Sequence, residues 1–206
     1  MEQQKKSIYL VLSTNETWPE ILLRKRAEMQ FLNRKKGDCY VHIGISFDKK
    51  LNNMVAFTRK HIHNIFDAGL AVENINEGIF NKKQKVGKLT VLEVEITIYQ
   101  YMELKKQVEY YLKNRNKYKY NFLGLILMLI FGTGVKSRNR YFCSEWIVIL
   151  LKNIGIDLFP SKKPHHIRPF DFYEKLYENI IYEGKSSEYV YRKIDGKYNE
   201  TEICIL

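Results

Sequence analysis

At 206 residues the chain has the length of one domain and can bury a core without covalent staples. Its 45% hydrophobic and 28% charged residues exclude a disordered or collagen-like chain. Three cysteines are too few for a disulfide framework, and 34 Lys and Arg against 23 Asp and Glu leave a formal charge of +11.

Ser7 to Ser13, with Ile, Tyr and Val, reads as a strand. Its apolar run ends at Ser13, Thr14 and Asn15 without a small-residue cleavage site, a poor secretory signal. Trp18 to Leu32 reads as a helix with Pro19 in its first turn. Tyr40 to Phe47 predicts a strand, Asp48 to Asn53 a turn, and Met54 to Lys60 the returning arm of a hairpin. His61 to Asp67 fits neither pattern. Leu89 to Thr97 alternates apolar with polar or acidic residues, as a strand with one wet face does. Tyr99 to Arg115 reads as a charged amphipathic helix.

Asn121 suits the N-cap of the apolar run Phe122 to Gly132. That run falls short of the roughly 20 residues of a membrane span, so it is expected to be a buried helix. Gly132-Thr133-Gly134 and the basic stretch Lys136 to Arg140 predict a loop. Cys143 to Asn153 then reads as a mostly buried helix, with Gly155 just past its end. Pro160 to Pro169 reads as a loop and Pro169 to Asn179 as a short helix that Asp171 can cap. In the tail, Asp195-Gly196 is a hairpin signal. The order predicts an α+β fold: one domain over residues 1–206, with a hairpin tail from about 185. The absence of a leader or a spanning segment predicts a cytoplasmic, reducing location with free thiols.

The cationic clusters, among them Arg24-Lys25-Arg26, Arg34-Lys35-Lys36 and Lys105-Lys106, are spread along the chain and read as solvated surface. An anionic surface is a candidate partner on electrostatic grounds. Nucleic acid is disfavoured, because no recognisable binding motif accompanies the interleaved Tyr, Lys and Arg. No GxGxxG, Walker loop or GxSxG occurs, so no cofactor is expected.

Chemistry concentrates at Tyr141-Phe142-Cys143-Ser144-Glu145-Trp146. Unpaired N–H groups and the macrodipole at a helix N-terminus favour an anion, and a thiolate there is the nucleophilic form. Lys136, Arg138 and Arg140 would act in the same sense if they point there. A small buried core cysteine fits the same placement. Of five histidines, His42 lies inside an apolar strand, a rigid platform, with Gly44 allowing close backbone approach. His61 and His63, and His165 and His166, lack Cys or carboxylate at metal spacing, so no zinc site is expected. Cys39 and Cys204 read as structural.

A strand opening HIGIS, followed about 100 residues later by a helix opening YFCSEW, resembles the circularly permuted NlpC-type papain-like cysteine hydrolases. In permuted members the His strand precedes the Cys helix, as here. KYKYNFLGL, HHIRPFDF, FTRK and GLAVE resemble further family segments in the expected order, so the likeness runs over roughly residues 8 to 185. It implies a papain-like α+β fold, with an antiparallel sheet packed against the Cys143 helix. It also implies that Cys143 attacks an acyl carbon while His42 serves as general base and acid, through a thioester. The implied substrate is a small-molecule, peptide or lipid-like acyl compound. The alternatives are a lipid-surface acyltransferase of the same fold and a binding module that kept the fold without the chemistry.

Relatives often carry a polar residue on the strand after the His strand to orient the ring. Here that strand, Met54 to Lys60, holds no carboxylate or amide. A register whose paired numbers sum to 102 sets Thr58 and Lys60 on the face of His42; a sum of 101 sets Phe57 and Arg59 there. Thr58 is the favoured orienter, with Glu73 a more distant candidate and a backbone carbonyl the remaining one.

Overall fold

The structure, a computed structural model, describes residues 4–15, 40–61, 64–77, 86–131 and 134–189. The expected helix Trp18 to Leu32, Cys39, His63 and the tail with Asp195-Gly196 and Cys204 lie outside the described residues. Within them the chain is α+β, built on a six-stranded sheet in which every neighbouring pair is antiparallel.

Strand β1 (Lys5–Asn15) is central, and its residues from Ile8 to Thr14 are all buried. It pairs with β2 (His42–Ser46) on one side and with β5 (Val86–Thr97) on the other. Beyond β2 come β3 (Met54–His61) and β4 (Asn64–Glu73); beyond β5 comes β8 (Ile180–Lys185). A central strand covered on both faces must be apolar on both, which explains the unbroken YLVL of β1. Ile8, Leu10, Leu12, Ile43, Ile45, Val55 and Phe57 build the core of one face. Tyr9, Val11, Met54, Leu89 and Val91 join Leu51 and Ile75 in a smaller cluster.

The larger core is closed by helices. Helix α1 (Ile98–Lys113) starts at Thr97, whose hydroxyl accepts from Gln100 N–H while the Gln100 side chain accepts from Thr97 N–H. It buries Leu104 and Val108. Helix α2 (Phe122–Phe131) follows, capped by Asn121, whose side-chain oxygen accepts Gly124 N–H at 3.0 Å. Helix α3 (Cys143–Asn153) lies against β2 and β3 and places Trp146, Ile147, Leu150 and Leu151 in the core. Gly155, at φ 83°, turns the chain just after it.

Three expectations are corrected and one ambiguous stretch is resolved. Helix α2 is not a buried helix: Leu123 (64% exposed), Ile126 and Phe131 (69% exposed) face outward. An apolar run by itself fixes neither a partner nor a buried face. Helix α4 (Pro169–Lys175) ends four residues before Asn179, and a single 3-10 turn at Tyr177–Asn179 leads into β8, a strand beyond the expected elements. The ambiguous stretch at His61 to Asp67 contains the start of β4. The expected loop Lys136 to Arg140 gives up its last residue to a short strand, β7 (Arg140–Tyr141), parallel to β6 (Lys119–Tyr120). No helix among the described residues is long and apolar enough to cross a membrane.

Candidate active site

His42 opens β2, where it stands opposite Ser13 of β1. Its Nε2 lies 2.9 Å from Glu73 Oε2, and both side chains are less than a tenth exposed. Cys143, the first residue of α3, is a second polar neighbour of the ring and is also buried. Burial opposes the charged imidazole most strongly. The Glu73 carboxylate and the Cys143 side chain outweigh it, through charge and as hydrogen-bond partners, and raise the His42 pKa well above its ordinary 6.5. The structure thus brings together a sulfur, an imidazole and a carboxylate from α3, β2 and β4.

Ile45 pairs with Val55, so the β2–β3 numbers sum to 100. This is neither expected register, but it keeps the parity of the even one and sets Ala56 beside Gly44. Thr58 stays on the His42 face by this parity and is buried, yet among the described residues it makes no side-chain hydrogen bond to the ring. Glu73 is the ring's partner instead. It reaches His42 past two small residues: a Cβ built on Gly44 would stand 3.5 Å from Ala56 Cβ and 3.8 Å from Glu73 Oε2. There is room for one methyl group at Gly44 and little more.

The tip of α3 is held by three further contacts. Ser144 Oγ donates to Ile167 O at 2.6 Å, tying the helix start to the segment before α4. Glu145, at the third helical position, reaches back to accept Phe142 N–H, and Asn121 also bonds it. Burial pushes the Glu145 carboxyl up to about 7, only partly offset by Phe142 N–H, Asn121 and Lys136. Its Oε2 is buried without a partner among the described residues. Asp171 accepts Arg168 N–H at 2.7 Å and so caps α4. Glu145 was visible as an acidic residue in a helix start, but its burial came only with the fold.

His165 and His166 stack edge to face in a single turn at Pro164–His166, and burial, His166 and the nearby Lys163 and Lys136 lower the His165 pKa. Among the described residues no cluster of three His, Cys, Asp or Glu is placed to hold a metal ion.

An imidazole held between a carboxylate and a thiol can take the sulfur's proton and give it up again. The first-turn N–H groups of α3 have no intrahelical acceptors and can meet a developing oxyanion beside the sulfur. Compared with family models, with curated proteins and with solved structures, the chain finds no match in any of the three.

Proposed function

We propose that this protein is a thiol-dependent hydrolase of the permuted papain-like type, cleaving an amide or ester acyl bond through Cys143 and His42. The observation that carries this reading is the His42 ring, fixed by Glu73 on one side and neighboured by Cys143 on the other. The chain order, His strand before Cys helix, supports the permuted arrangement.

In this reading His42 takes the thiol proton of Cys143, and the sulfur attacks the acyl carbon. Amide groups at the start of α3 stabilise the oxyanion. Collapse of the tetrahedral species expels the amine or alcohol, which leaves with the proton from His42. Water, giving a proton to His42, then attacks the thioester; the acid departs and the thiol is restored. Glu73 acts as a positioning residue that keeps Nε2 engaged and turns Nδ1 to the sulfur. The substrate is a small-molecule, peptide or lipid-like acyl compound, and a cytoplasmic location accords with it.

The test exposes the full chain to p-nitrophenyl acyl esters and peptidyl anilides and reads intact mass. A thioester on Cys143 is expected, absent in Cys143→Ala and slowed about 10²- to 10⁴-fold in His42→Ala. No adduct, together with equal iodoacetamide labelling of all three thiols in the native protein, overturns the reading and leaves a binding module of the same fold.

A further inference from the structure

Helix α2 presents an apolar face that no described element covers: Leu123, Ile126 and Phe131 are exposed on it, and Val135 is exposed in the strand of chain that returns alongside. That return is fixed. Asn121 Nδ2 donates to Val135 O at 2.8 Å, so the segment after α2 runs back to the helix start. The chain that flanks this face carries charge of one sign. Lys119, Lys136, Arg138 and Arg140 are all exposed, and the β6–β7 register sets Lys119 beside Arg140. From residue 110 to residue 144 the sequence contains no Asp or Glu, but Lys113, Arg115 and Lys117 besides those four cations.

Three occupants can cover an exposed aliphatic face. A second copy of the chain would bring the same cations against themselves, in a protein that already carries +11. Nucleic acid would satisfy the cations and could stack a base on Phe131, but it would gain nothing from Leu123, Ile126 and Val135, the aliphatic majority of the face. A bilayer bearing anionic headgroups satisfies both at once, because apolar side chains enter the acyl boundary while Lys and Arg stay among the headgroups. The ten residues of α2 rise about 15 Å, half of the roughly 30 Å hydrocarbon layer, so the helix can lie in an interface but cannot span it.

We propose that α2 and the cationic segment after it form a docking surface for an anionic lipid bilayer, with Leu123, Ile126, Phe131 and Val135 entering the headgroup–acyl boundary. Docking would hold the Cys143 end of α3 at the membrane, since Asn121 N–H donates to Tyr141 O, two residues before Cys143. That consequence rests on the thiol chemistry proposed above; the docking itself does not.

Co-flotation with phosphatidylcholine vesicles containing 30% phosphatidylserine, roughly one anionic headgroup in three, tests it. The full chain is expected to float with these vesicles and not with phosphatidylcholine alone, and to release as salt rises. The pair Leu123→Ser with Ile126→Ser, and separately Arg138→Glu with Arg140→Glu, should each weaken binding at least about tenfold while melting as the unaltered chain does. Cys143→Ala should bind like the unaltered chain, so failure of docking and failure of the thiol chemistry are read separately. Binding that is absent, indifferent to both pairs of substitutions, or replaced by dimerisation or RNA binding through this face overturns the proposal.

Discussion

His42 and Glu73 are bonded at 2.9 Å although their strands are not neighbours, because β3 lies between β2 and β4. The contact runs over the face of the intervening strand, where the bare backbone of Gly44 and the single methyl of Ala56 leave the carboxylate its path. Removing the carboxylate therefore strands a buried ring. Glu73→Ala is expected to cost about 3 kcal/mol in urea unfolding, the scale for removing one partner of a buried ion pair. Glu73→Gln keeps the shape and a neutral partner, so it should cost less. With an acyl ester substrate, both variants should lose kcat with little change in KM, by about 10²-fold or more, since a positioning residue acts through the ring and not on bound substrate. Equal losses in kcat and in substrate binding would speak for a collapsed site instead.

The raised pKa of His42 has a sign that can be worked through. Burial alone would lower it; Glu73 and Cys143 prevail, and the folded value lies well above 6.5. The folded state therefore holds the proton more tightly than the unfolded state. The resulting stability is fully present below pH 6.5, and is lost as pH rises through the folded value. Denaturant midpoints measured as pH rises from 6.5 should fall for the unaltered chain and fall less for His42→Gln. A parallel fall in both would show that other groups carry the slope.

Glu145 acts in a lower window. Burial raises its carboxyl from 4.5 to about 7, so between these values the unfolded chain has ionised while the folded chain has not. Stability should fall as pH climbs across that interval and level off above it. Glu145→Gln can still accept Phe142 N–H and carries no charge to bury. It should flatten this part of the profile and be the more stable protein at pH 8, by roughly 1–3 kcal/mol. The two slopes share a direction but not a range, so a fine pH series on the two variants separates them.

Legibility from the sequence followed the scale of the signal. Cys143 was readable because a helix start is a local property: a polar break, an apolar run and Gly155 beyond it. The hairpin of β2 and β3 was readable from alternation around a polar turn. Thr58 sits on the strand next to His42 and is the nearer candidate in the sequence; nothing local reveals that Glu73, two strands away, can reach across Gly44 and Ala56. The GLAVE segment carried an alternating end and a terminal Glu, but its pairing with β3 (Met54 opposite Glu73) is a fact about the sheet. Helix α2 failed for the opposite reason. Its hydrophobicity was plain, while burial depends on whether another surface remains free to receive it.

The start of α2 offers a test in which two effects of one substitution oppose each other. Ala is the better helix former by about 1 kcal/mol, so Gly124→Ala in an unencumbered helix would stabilise. Here a Cβ on Gly124 would stand 2.5 Å from Asn121 Nδ2 and 2.9 Å from Val135 O. Those are the two atoms of the 2.8 Å hydrogen bond that ties the returning chain to the cap. One of them is backbone, so the clash cannot be relieved by a side-chain rotation alone. The link must break, or the segment before β7 must move. Gly124→Ala is therefore expected to destabilise by about 1–2 kcal/mol, the scale of a lost cap and a strained contact. It should also raise amide hydrogen exchange in residues 134–136 ahead of the sheet. Stabilisation by the substitution, with exchange unchanged, would show that Val135 is not held where the hydrogen bond sets it.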